Sequence, residues 1–142
     1  MPMIDLRGVW LPQILGYAEL VSHERILRSS WIDGDRSETS ITDFDEMIEQ
    51  IFGLDCDAQV EFAEQELTDD PDMAKLLGNF IAELKIVDRF VVEGDLNDQP
   101  QRIFSSSEWA RFRKCAQQLE NHAAGCDYTS DLAPEPFANR KP

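Results

Sequence analysis

The sequence contains no lysine or arginine between Ser37 and Ala74, a stretch of 38 residues. The same stretch holds 13 acidic residues, and the chain of 142 residues has a formal net charge of −15. Such a charge disfavours binding to nucleic acid or to anionic membranes. The four basic residues between positions 102 and 114 are too few to form a phosphate-binding surface. We therefore expect neither direct nucleic-acid binding nor membrane binding.

Long apolar runs are also missing. No segment approaches the eighteen or so apolar residues of a membrane span. The first ten residues, MPMIDLRGVW, lack the basic start and the apolar core of a signal peptide. The three cysteines, Cys56, Cys115 and Cys126, are odd in number and widely spaced, which is untypical of a disulfide framework. These features predict a reduced, cytoplasmic protein.

Catalytic motifs are scarce as well. The sequence has no phosphate-binding glycine loop and no GxSxG nucleophile motif. His122 could ligate zinc together with Cys115 and Cys126, but CxxC spacing and a fourth ligand are missing. We therefore expect no catalytic residue, no metal site and no cofactor. An enzyme without a recognisable motif is the alternative.

Paired aspartates suggest metal sites that their spacing then disfavours. A calcium loop starting at Asp33 needs glycine at its sixth position and glutamate at its twelfth, where the sequence has Glu38 and Phe44. Four Asp-x-Asp pairs occur, and such pairs can hold magnesium. In a helix, however, side chains two residues apart diverge, so Asp43 and Asp45 should not share one ion.

What the chain does contain is helical periodicity. Apolar residues recur at three- and four-residue steps in five segments. The clearest helix should begin after Thr42 or Asp43, either of which can cap it, and end at Gly53. The other four segments are 12–31, 57–67, 71–94 and 105–125. The first of these has an indicated break at 22–24 and a terminating turn at 33–35. The last begins with a Ser105–Glu108 capping box.

The predicted fold is mainly α, a single compact domain of about five helices over residues 1–126, followed by a flexible tail at 127–142. A helix-rich α+β fold is the alternative, with strand candidates at 3–6, 25–31, 90–93 and 102–104. The predicted core comprises Phe44, Met47, Ile48, Ile51, Phe52, Leu77, Phe80, Ile81, Leu84, Trp109, Phe112 and Leu119.

The acidic stretch has two interpretations. In the first, its carboxylates form only the solvated faces of two amphipathic helices. That interpretation explains their positions but not the missing basic residues, because ordinary helix surfaces mix both signs and gain from opposite-sign pairs. The second interpretation is a surface that binds a basic protein. The predicted contact residues are Asp43, Asp45, Glu46, Glu49, Asp57, Glu61 and Glu64.

Two kinds of acidic protein fit this second interpretation. One is an inhibitor or immunity-type protein that blocks the basic cleft of a nuclease-like toxin. The other is a DNA mimic or another charge-driven adaptor. Phe62 falls outside the apolar stripe of its segment, so we expect it on the surface as an anchor, which favours the inhibitor. The sequence specifies neither the partner's identity nor an oligomeric state.

Overall fold

A computed structural model describes residues 9–54 and 56–125, and the regular secondary structure of these residues is entirely helical. The mainly α prediction is confirmed, with seven helices in the described residues where about five were predicted. In chain order they are α1 (Leu11–Ser22), α2 (Glu24–Asp33), α3 (Phe44–Phe52), α4 (Cys56–Glu66), α5 (Pro71–Gly94), α6 (Pro100–Phe104) and α7 (Ser107–Ala124).

The first predicted segment divides into α1 and α2, as its irregular phase indicated. His23 leaves the helical conformation at φ −94° and ψ 61°, and its backbone N–H closes α1 by donating to the carbonyl of Glu19 at 3.0 Å. Gly34 then ends α2 in the left-handed conformation at φ 74°. A glycine fits here because it has no Cβ to clash at positive φ.

The strand candidates within the described residues are wrong. Residues 25–31 lie in α2, 90–93 in α5 and 102–104 in α6, while 3–6 lie outside the described residues. The β-branched end of α5 stays helical because Val87 and Val91 continue its buried stripe. Burial of a continuous face therefore outweighs the strand preference of valine.

The predicted helix starts are correct for α3 and α5 and one residue off for α7. Asp43 and Asp70 accept hydrogen bonds from the backbone N–H of the third residue of α3 and of α5, Glu46 and Met73. For α7 the cap is Ser106, whose Oγ accepts from Trp109 N at 3.0 Å. The predicted cap, Ser105, instead follows the unpredicted helix α6 and donates to the carbonyl of Arg102.

The core lies around α7, which packs against both α5 and α1. Eleven of the twelve predicted core residues are buried, and the twelfth, Phe52, is half-buried at the end of α3. The ring centroids of Phe80 and Phe112 join α5 to α7 at 4.9 Å. Two hydrogen bonds fix the other side of α7: the Trp109 indole donates to Glu24 at 2.7 Å, and Arg113 donates to the carbonyl of Ser22 at 3.2 Å.

None of the helices in the described residues is long and apolar enough to cross a membrane. The predicted tail at 127–142 lies outside the described residues. The single-domain boundary at 126 stays a prediction.

Candidate functional site

The acidic stretch forms α3, α4 and the segments that flank them. α4 runs antiparallel to α5. Near the start of α4, Asp57 pairs with Lys85, and one turn later Val60 lies beside Gly78, which is two turns earlier on α5. The first turn of α3 lies near α5, because the negative charge of Asp45 helps to raise the pKa of the Asp88 carboxyl on α5. Of the two acidic helices, α4 packs against α5, and the start of α3 lies near it.

Two of the seven predicted contact residues, Asp43 and Glu46, have a role in the fold. Asp43 is half-buried; its Oδ1 accepts from Glu46 N at 2.8 Å and its Oδ2 from Asn97 Nδ2 at 3.3 Å. Glu46 is half-buried too, and its Oε1 accepts from Thr42 N at 3.0 Å. These two carboxylates satisfy backbone donors at the start of α3, which is the normal task of capping residues.

Asp57 is exposed but paired. Its carboxylate, 80% exposed, contacts the ammonium group of Lys85, which is 50% exposed. An ion pair this accessible to water stabilises a fold by about 0–1 kcal/mol. A competing cation can therefore exchange with Lys85 at small cost.

The other four predicted contact residues are exposed: Asp45, Glu49, Glu61 and Glu64. Their carboxylates form no ion pair or hydrogen bond with any described residue. Asp45 also acts on its surroundings. Burial raises the pKa of the Asp88 carboxyl, and the negative charge of Asp45 raises it further.

An open groove lies where α3, α4 and α5 meet. It has a volume of about 230 Å³ and is lined by Phe52, Cys56 and the Asp57–Lys85 pair. In this groove the half-buried Phe52 places apolar surface beside Asp57. Phe62, predicted to be the exposed anchor, is instead half-buried and packs against the core.

The zinc set considered from the sequence is only partly described. His122 lies on α7 with its Nε2 3.0 Å from both carboxylate oxygens of Asp70. Asp70 in turn caps α5 by accepting from Met73 N at 3.1 Å. Burial raises the pKa of the half-buried Cys115 thiol, and the charge of Glu83 adds to the effect. Cys126 lies outside the described residues.

The structure brings together three side chains that the sequence reasoning did not connect. Glu19 and His23 from the end of α1 meet Glu120 from α7, and one ligand atom from each lies within 4.8 Å of the others. Burial raises the pKa of the Glu120 carboxyl, while His23 lowers it and Glu19 raises it. The four-residue spacing of Glu19 and His23 is visible in the sequence, but the approach of α7 is not.

No family model, curated protein or solved structure matches this chain. What the protein binds is therefore inferred from its own charges and geometry.

Proposed function

We propose that this protein binds a basic protein partner through its acidic surface, defined as Asp45, Glu49, Asp57, Glu61 and Glu64. The observation that carries the proposal is the set of four exposed carboxylates without an ion pair among the described residues. Among the described residues, the ion pair that involves this surface joins Asp57 to Lys85.

A one-signed surface has an energetic cost that a partner could offset. Each opposite-sign pair at helical spacing stabilises a helix by about 0.2–0.5 kcal/mol, and like-charge pairs destabilise it by similar amounts. Glu61 and Glu64 stand three residues apart on α4 and are such a like-charge pair. The positive charges of a basic partner would attract these carboxylates and offset their repulsion. The negative field of the surface would also speed the approach of such a partner.

The partner class that fits best is a nuclease-like toxin, which would make the protein a cytoplasmic inhibitor of the immunity type. A nuclease cleft must be basic because its substrate is a polyanion. Blocking such a cleft calls for clustered carboxylates beside apolar anchors. Phe52, which is half-buried and lines the groove beside the Asp57–Lys85 pair, supplies the apolar part of that combination. In this role the protein binds and does not catalyse, and it requires no cofactor.

The test is capture of partners at low and at high salt. The bait proteins are the wild type, the acidic-surface variant Glu49→Lys/Glu61→Lys/Glu64→Lys, and a control, Asp33→Lys/Glu93→Lys/Asp98→Lys. All six positions are exposed, and both variants change the net charge equally. The fold of each variant is checked by circular dichroism, because exposed substitutions should alter stability by only about 0.5 kcal/mol.

We expect the wild type and the control to retain a basic protein at low salt and to release it at high salt, while the acidic-surface variant does not retain it. The purified partner should cleave nucleic acid, and equimolar wild type should stop the cleavage. A partner retained equally by both variants would exclude the acidic surface. A partner that binds DNA without cleaving it would identify a DNA mimic instead.

A further inference from the structure

A second cluster of ionisable side chains lies away from the acidic surface, at the seam between α1 and α7. It consists of Glu19 and His23 at the end of α1 and Glu120 on α7. The His23 Nε2 lies 3.7 Å from Glu120 Oε2, and the two side chains are 54% and 32% exposed. One atom of Glu19 completes a group in which all ligand atoms are within 4.8 Å of one another.

We propose that Glu19, His23 and Glu120 form a binding site for a divalent transition-metal ion of the zinc type. One imidazole nitrogen and two carboxylate oxygens are ligands that zinc uses in proteins, at metal–ligand distances of about 2.0–2.2 Å. Three protein ligands would leave a position for water. The imidazole sets this site apart from calcium and magnesium sites, which are built from oxygen ligands.

The geometry needs only small adjustments to take an ion. Ligand atoms around a tetrahedral ion are about 3.5 Å apart, given bonds of this length. The 3.7 Å between His23 and Glu120 is close to that separation. Because His23 is more than half exposed, its ring can rotate without disturbing the core, and an ion can reach it from solvent.

The surroundings favour a cation at this position. The partial negative charge at the C-terminus of α1 attracts cations. The last turn of α1 has no basic residue of its own, and the Arg113 guanidinium of α7 donates to its Ser22 carbonyl. Ser22, three residues after Glu19 and therefore on the same side of α1, is 9% exposed. Its hydroxyl oxygen is buried and has no hydrogen-bond partner among the described residues. Since Arg113 of α7 donates to the Ser22 carbonyl, this hydroxyl is a polar group in the seam between α1 and α7 that the described residues leave unsatisfied.

Bound metal would connect two helices that belong to the centre of the fold. α1 and α7 pack against each other, and the ion would join the end of α1 to α7 beyond the contact of Arg113 with Ser22. A ligand that binds only the folded state stabilises it by mass action. Zinc at about 100 times its dissociation constant should raise the melting temperature by about 5–10 °C.

The experiment uses the full chain without a histidine tag, stripped of metal and kept reduced. Zinc is titrated by calorimetry into the wild type, His23→Ala, Glu120→Gln and the control His122→Gln, which removes the other histidine. Cobalt absorption spectra identify the ligand type, because thiolate ligands would give intense charge-transfer bands that nitrogen and oxygen ligands lack. Copper broadening of the wild-type His23 ring signals reports the site without any substitution.

We expect one zinc ion per chain, a loss of affinity of tenfold or more in His23→Ala and Glu120→Gln, and little change in His122→Gln. Copper should broaden the signals of His23 before those of His122. Each of three results would overturn the proposal: no zinc binding by the wild type, equal affinity in His23→Ala, or a cobalt spectrum dominated by thiolate bands. If a variant unfolds, the copper measurement on the wild type decides.

Discussion

Neighbouring carboxylates on α3 have different roles because they face different groups. Asp43 and Glu46 accept backbone N–H groups at the start of the helix. Asp45 and Glu49 lie on the solvent side of the same turns and have no such bond from a described residue. Charge reversal at Glu46 would therefore disturb the helix start as well as any partner. Glu49 is the residue of α3 that tests the surface alone.

The capping role of Asp43 gives a prediction at this scale. Asp43→Ala should lower the free energy of unfolding by about 1 kcal/mol, since it leaves the Glu46 N–H without its acceptor. Urea unfolding measures the change. Asp45→Ala removes an equal charge two residues later and should change stability by less than about 0.5 kcal/mol. Equal effects of the two substitutions would contradict the cap.

Asp88 gives a prediction about pH. Burial and the nearby charge of Asp45 raise the pKa of its carboxyl in the folded protein. The folded state then holds the proton to a higher pH than the unfolded chain does, so stability falls as the pH rises from the ordinary aspartate pKa through the raised one. Asp88→Asn removes this loss and should be more stable than the wild type at neutral pH.

The advantage of Asp88→Asn should disappear at a pH low enough to protonate the wild-type carboxyl in both states. Unfolding in urea across a pH series measures it. Asp98→Asn, at an exposed position, serves as the comparison with the same charge change. A variant less stable than the wild type at neutral pH would show that the Asp88 carboxylate makes a favourable interaction.

At the scale of helices, the sequence predicts what depends on neighbouring residues. The buried stripes of α3, α5 and α7 and the caps Asp43 and Asp70 follow from residues three or four positions apart. The short helix α6 was not predicted, because five residues are too few for a periodic pattern. Ser105 is the C-cap of α6, and Ser106 caps α7.

Contacts between distant helices could not be predicted in this way. Lys85 reaches Asp57 because α4 folds back on α5. Glu120 reaches Glu19 and His23 because α7 crosses the end of α1. The expectation of no metal site depended on ligands close together along the chain, such as His122 and Cys126. The proposed zinc site depends instead on helix packing.

The end of α2 gives a prediction at the scale of elements. Gly34→Ala should cost about 1 kcal/mol, because φ is 74° and an L-residue is disfavoured there. Steric crowding would not contribute, since a Cβ at this position meets nothing within 4 Å. Gly125→Ala is the matched control: φ is −84° and the nearest atom is 3.7 Å away, so its stability should not fall. Thermal unfolding of both variants measures the difference.

At the scale of the whole molecule, the net charge of −15 should make folding and binding respond to salt in opposite ways. Folding brings the acidic residues close together, so salt that screens their repulsion should stabilise the fold. Binding to a basic partner depends on the same charges acting over a distance, so salt should slow association. One variant can test both effects, because both depend on the same carboxylates.

That variant is Glu61→Gln/Glu64→Gln, which removes two charges of the acidic surface without reversing them. Raising the ionic strength from about 0.01 M to 0.1 M shortens the screening length from about 30 Å to about 10 Å. Over this range the wild type should gain unfolding free energy while its association rate with the captured partner falls. The variant should start more stable, gain less from salt, and associate more slowly at low salt.

The control Asp33→Asn/Glu93→Gln, at exposed positions outside the acidic surface, should share the gain in stability but keep the wild-type association rate. Equal loss of association rate in both variants would mean that net charge alone attracts the partner, and that Glu61 and Glu64 do not lie at the interface.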